Sequence, residues 1–141
     1  VGRELKAAQR NLLGECVRDV REARSDGDAD AAVRAVVQFV DDASVADSVD
    51  EVLRQEPPST GDRRWDAAVA AAAAWVADRR GCDPLGWAAA PSRFLDGPWF
   101  PAADIIGRPL STRLAADLLA AAPVEFFGRG IIIDAATLQS V

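Results

Sequence analysis

Carboxylates, two thiols and a set of arginines are the groups with which this chain could do chemistry, and histidine is not among them. Its absence removes the usual general base, the Ser-His-Asp and Cys-His nucleophile systems, and the commonest metal ligand. Cys16 and Cys82 are too far apart in sequence for a paired-cysteine motif, and two cysteines cannot make a four-cysteine zinc site. They are expected as unpaired, mostly buried thiols. Asp41-Asp42 is an adjacent carboxylate pair, but neighbours on a helix diverge by about 100°. Two solvated acids are therefore expected there rather than a general acid/base dyad. Gly128-Arg-Gly130 lacks the rest of a phosphate-cradling loop. The expectation is a chain with no catalytic residue, no cofactor and no metal site.

Binding chemistry is better represented. The segment Pro91-Ser-Arg-Phe-Leu-Asp-Gly-Pro-Trp-Phe-Pro101 concentrates three aromatics and three prolines in eleven residues. A stiff loop of this kind is costly unless its rings pack against something. Interface hot spots favour tryptophan and arginine, so Arg93, Trp99 and Phe100 are candidates for a contact surface. The competing reading of the same residues is a satellite core beneath a long loop. A second candidate is electrostatic: between Asp26 and Glu56 nine acids face only Arg34 and Arg54. Within that stretch Asp47, Asp50 and Glu51 are candidates for meeting a partner, against the simpler reading of a solvated acidic face. A basic stripe of Arg3, Lys6, Arg10, Arg21 and Arg24, with Arg63-Arg64 and Arg79-Arg80, could contact phosphates. A net charge of −6 and a pI near 4.6 oppose this. Specific nucleic-acid binding is not expected, and the stripe is expected to pair with the acidic Asp41 to Glu56 region of the same molecule or of a partner.

The elements that must position these residues are helical. Five apolar stripes at helical spacing predict an all-α fold, a compact bundle of about five to seven helices. One domain is expected over 1–141: an acidic helical part (1–56), a linker (57–61) and a helical part with the aromatic loop (62–141). A first helix over 3–24 gathers Leu5, Leu12, Leu13, Cys16 and Val20 on one face. Gly27 stops it and Asp28 caps a second, with Ala32, Val33, Val36, Val37 and Val40 inward. A third is predicted from Ser44 to Gln55, with Val45, Val49, Val52 and Leu53 inward and Ser48 to Glu51 as a capping box. Asp62 caps the helix Arg63 to Arg80, with Trp65, Ala68, Val69, Ala72, Trp75 and Val76 buried. A helix from Ser111 to Ala121 presents Leu110, Leu114 and Leu118, and Pro123 opens a turn carrying Phe126 and Phe127. Ile131-Ile132-Ile133 is β-branched, and its expected mate in one very short strand pairing is Ile105-Ile106.

No apolar run approaches the ~18 residues of a membrane span, and no charged-then-apolar leader opens the chain, so a cytoplasmic protein is expected. All basic residues but Lys6 are arginine and alanine is abundant, the usage of a GC-rich bacterial genome. At Glu56-Pro-Pro-Ser-Thr-Gly-Asp-Arg-Arg-Trp-Asp-Ala67, at the Pro91–Pro101 segment and at Ala122-Pro-Val-Glu-Phe-Phe-Gly-Arg-Gly-Ile-Ile-Ile-Asp134 the chain resembles a family of actinobacterial proteins. In that family a helical region of this kind commonly follows a helix-turn-helix. Its members are antitoxin-like proteins encoded beside nucleotidyltransferase-like toxins, and the resemblance covers roughly residues 33–141. It implies a non-enzymatic module that binds and neutralises a cognate toxin protein, and it implies no catalytic residue. The DNA-reading domain of the pattern has no counterpart in these 141 residues. The alternative function is a small DNA-associated transcriptional regulator, acting as a homodimer through the basic first helix.

Overall fold

The structure is a computed structural model that describes residues 10–138. Among those residues it has seven α-helices and three short 3-10 turns, and no strand beyond a single bridge. The helices are α1 (Leu12–Ser25), α2 (Ala29–Ser44), α3 (Val49–Arg54), α4 (Arg63–Arg79), α5 (Pro101–Ile106), α6 (Thr112–Ala121) and α7 (Val124–Phe127). The all-α expectation holds. Arg3, Leu5 and Lys6 of the expected first helix lie outside the described residues.

Local chemistry accounts for where the main helices begin and end. The Asn11 side chain accepts from the Gly14 N–H to cap α1, and Asp28 accepts from the Ala31 N–H to cap α2. Gly27 between them has φ +66°, which a residue with a Cβ would resist. The two helices pack as a hairpin on Leu12, Leu13, Cys16, Val17 and Val20 against Val33, Val36, Phe39 and Val40. Asp62 caps α4 by accepting from the Arg64 N–H.

The long helix α4 is the centre of the molecule. Beyond the expected face, Ala67, Ala70, Ala71, Ala73 and Ala77 are also buried, so little of its circumference reaches water. Alanine allows this: it offers no bulk to hold neighbours away, and α2, α3, α7 and the 3-10 turns at Trp87–Ala89 and Pro91–Arg93 all close on it. One contiguous core runs from Leu12 to Leu138. In the segment 57–61, Pro58, Ser59 and Gly61 are exposed, while its other two residues reach the edge of the core. Pro57 and Thr60 are buried, and the Thr60 N–H and hydroxyl both donate to Asp66 Oδ1 at 2.6 and 2.7 Å.

Three local expectations are corrected. The third helix begins at Val49, because α2 runs on to Ser44 and a turn follows. Val45 falls in that turn and is 81% exposed instead of inward. Ser48 is the N-cap of α3, but its side chain makes no capping hydrogen bond, so no capping box forms. The bridge pairs Ile131 with Trp99 in parallel, not with Ile105-Ile106. Those two isoleucines end α5, which Pro101 starts at its first position and Gly107 stops at φ +82°.

Candidate functional site

The aromatic loop is built inward. Arg93 is 5% exposed, and its guanidinium donates to the Asp66 carbonyl (3.1 Å), Glu56 Oε2 (3.0 Å) and the Pro57 carbonyl (3.5 Å) while lying 5.0 Å from the centre of the Trp87 ring. Trp99 is 7% exposed, meets Trp65 edge to face, and donates its indole N–H to Asp104 Oδ2 at 2.9 Å. Its backbone is tied as well: Trp99 N donates to the Gly130 carbonyl at 2.7 Å, and Ile132 N donates to the Trp99 carbonyl at 2.8 Å. Phe100 is half-buried. Arg93 and Trp99 therefore do not line a contact surface, which corrects the hot-spot expectation for both. Their polar atoms find partners inside the fold, and Trp99 joins the one contiguous core, so the loop packs inward, as in the competing reading, but onto the main core rather than a satellite.

The Gly128–Gly130 turn is explained by the same packing. Gly130 has φ +86°, and a Cβ there would sit 3.0 Å from the Gly97 carbonyl oxygen and 3.1 Å from Leu95 Cβ. The turn is a close approach of two backbones. Between the glycines, buried Arg129 donates to the carbonyls of Glu125 (2.9 Å) and Ala88 (2.8 Å) and lies over the Phe94 ring. Burial lowers its pKa from the ordinary guanidinium value.

The acidic candidates lie on the opposite kind of surface. Asp47, Asp50 and Glu51 are all exposed around the turn from α2 to α3. Asp50 pairs with Arg54 one turn on at 2.5 Å, and that hydrogen bond holds its carboxyl below the usual range. Asp47 and Glu51 have no ion-pair partner among the described residues. Arg80, from the end of α4, donates to the carbonyls of Ala43 (3.3 Å), Ser44 (2.7 Å) and Ala46 (3.0 Å). Three charge-assisted bonds to one turn fix its shape. The result is a braced turn with Val45 bare, followed in sequence by Asp47 and, in the first turn of α3, Glu51, two exposed carboxylates without an ion pair among the described residues. The acid excess was legible in sequence; the outward valine and the arginine that braces it were not.

The basic stripe is largely occupied within the molecule. Arg10 pairs with Glu15 at 2.6 Å and reaches Asp42 at 3.9 Å. Arg21 donates to the Ser59 carbonyl, and Arg24 to the Thr60 carbonyl and Asp62. Arg63 donates to the Phe94 carbonyl, and Arg64 pairs with Asp62 and Asp104. Among the described residues, Arg21, Arg24 and Arg64 engage the 59–62 loop, and Arg10 alone of the first-helix stripe reaches the Asp41 to Glu56 acids, at Asp42. A cleft of about 400 Å³ between α1 and α2 is lined by Arg10, Glu15, Cys16, Asp19, Gln38 and Asp42 among others. Cys16 is buried there and its thiol is pushed up to about 12, which leaves it protonated and unreactive. Cys82 is half-buried, and both thiols are free. Among the described residues no group of three or more histidine, cysteine or acidic side chains is placed to hold a metal ion, and no helix is long and apolar enough to cross a membrane. Comparison of the chain with protein-family models, with curated proteins and with solved structures finds no match in any of the three.

Proposed function

We propose that this chain is a non-catalytic protein-binding module of the antitoxin kind, which covers and neutralises a nucleotidyltransferase-like toxin. The observation that carries the reading is the braced turn between α2 and α3. Exposed Val45 in this turn, with the exposed carboxylates of Asp47 in the turn and Glu51 at the start of α3, suits a partner that presents a small apolar pocket within a basic surface. An enzyme that handles nucleotides or RNA needs such a basic surface, and the acid excess of this region complements it and speeds encounter. The engaged state of Arg10, Arg21, Arg24 and Arg64 supports this reading over a regulator that reads DNA through the first helix.

The test is co-expression of the neighbouring toxin gene in a heterologous host with this chain, or with a variant carrying Val45→Asp, Asp47→Lys and Glu51→Lys. The native chain restores growth; the variant folds, by its circular dichroism, and restores it poorly. Equal growth with and without the native chain, with the toxin shown to be harmful and the chain shown to be folded, overturns the proposal.

A further inference from the structure

Helix α6 is the one long element that the fold does not use: none of its ten residues is buried. Leu114 and Leu119 are 38% and 42% exposed, and Leu118 and Ala115 between them are only half-covered. Ile105, Ile106, Val124 and Phe127 on the adjoining helices are exposed too, so among the described residues six of the seven large exposed apolar side chains fall within 105–127. The charges on α6 are equally unsettled. Arg113 stands in its first turn, where the helix dipole disfavours a cation, and its last turn has no basic residue, where one would be favoured. Asp117 follows Arg113 by four residues in the less favourable order, and neither forms an ion pair among the described residues.

We infer that α6 is a self-association surface, and that two copies of this chain pair through it as antiparallel helices about a two-fold axis. Antiparallel pairing answers each local conflict at once. The N-terminal Arg113 of one copy comes to the C-terminal half of the other helix, beside its Asp117 and its uncapped carbonyls, and symmetry repeats the contact. The helix dipoles oppose one another. Ala121 beside Leu114 and Leu118, and Ala115 at the edge of that face, allow close approach, while Leu114 and Leu119 lose their exposure. Charge selects a copy of this chain over a basic partner. Residues 101–127 carry three acids and two arginines and do not repel their own image, whereas Asp26 to Glu56, with nine acids against two arginines, does.

Sedimentation equilibrium of the full chain from micromolar to near-millimolar concentration tests this. The native chain approaches twice its 14.9 kDa mass, and Leu114→Asp with Leu119→Asp returns it to monomer. Arg113→Asp supplies the acid that the start of α6 prefers, so a role confined to the helix would leave self-association alone or strengthen it. At a symmetric interface, where the lost pair counts twice, it weakens the dimer about tenfold. Asp117→Arg does likewise, and the exchange Arg113→Asp with Asp117→Arg restores the native constant. A chain that is monomeric throughout overturns the inference, as does a dimer indifferent to these four changes, or a monomer that sediments with neutral phospholipid vesicles through Leu114 and Leu119.

Discussion

The rings of Trp65 and Trp99 meet edge to face, 4.9 Å between centroids at an interplanar angle of 80°. Trp65 lies on the central helix and Trp99 in the proline-bounded loop, so this contact and the Ile131 bridge behind it fasten the C-terminal segment to α4. Because Trp99 is almost fully enclosed, Trp99→Ala is expected to cost about 3–5 kcal/mol in urea unfolding. Trp99→Phe keeps much of the packing and loses the indole hydrogen bond to Asp104, a cost of about 1–2 kcal/mol. Trp75, also buried on α4, is expected to cost about the same, 3–5 kcal/mol, on replacement by alanine. A loss under about 1 kcal/mol for Trp99→Ala would show that the loop does not seal the core.

Arg93 ties its own turn to two other stretches: its guanidinium bonds the Asp66 carbonyl on α4, and the Pro57 carbonyl and Glu56 before it. Lysine has one donor centre where arginine has a planar fork, so Arg93→Lys cannot make all three contacts. It is expected to destabilise the fold by about 2–4 kcal/mol, most of it from carbonyls left without a donor. Toxin neutralisation measured well below the melting temperature should be unchanged in the same variant. A selective loss of neutralisation with native stability would return Arg93 to the binding surface.

What could be read from the sequence divides along physical lines. The helix α4 was legible because Asp62 marks its start and Trp65 to Val76 repeat at helical spacing. The burial of Ala67 and Ala70 was not, since it depends on how many neighbours close around a thin helix. Val45 shows the limit of periodicity: it continues the pattern of valines, but α2 ends one residue earlier and the turn carries it out of phase. Ile105-Ile106 shows a signal misweighed, for Pro101 and Gly107 bracket a short helix more firmly than β-branching argues for a strand. Among the site residues, Asp47 in its turn and Glu51 at the start of α3 are exposed, as unpaired charged residues at the surface of a fold should be. Arg93 could not be placed from sequence, because its acceptors Pro57 and Asp66 lie some thirty residues away on other elements.

Acid and alkali should act on different parts of the molecule. Burial, and then a hydrogen bond with Asp78 on α4, raise the pKa of Glu125 on α7. A carboxyl with a raised folded pKa contributes stability that is fully present below its unfolded value and is lost as pH rises through the folded value. Glu125→Gln is therefore expected to be more stable than the native chain at neutral pH, with the difference shrinking toward pH 4. Glu15, Asp50 and Asp62 are shifted down, so their contribution is present above the unfolded carboxyl range and fades as pH falls. Urea unfolding of both proteins from pH 4 to pH 8 checks the sign, and a Glu125→Gln variant that is less stable at pH 7 contradicts it.

The two thiols should separate cleanly under a thiol reagent. Cys16 is 3% exposed between α1 and α2 and its pKa is pushed up to about 12, so at pH 8 it offers almost no thiolate and little surface to a reagent. Cys82 sits just beyond α4 in a turn where its backbone N–H donates to the Ala77 carbonyl at 2.8 Å, and its side chain is half-buried against the edge of the core, still partly open to solvent. In folded protein a disulfide reagent is expected to modify one equivalent rapidly, and Cys82→Ser should abolish that phase. The second equivalent should appear only at the unfolding rate, rising with urea in step with loss of helical signal. Rapid modification of both sites in native buffer would mean that α1 opens readily from α2, and the packing of Leu13, Val17 and Val20 against α2 would then be much weaker than their burial requires.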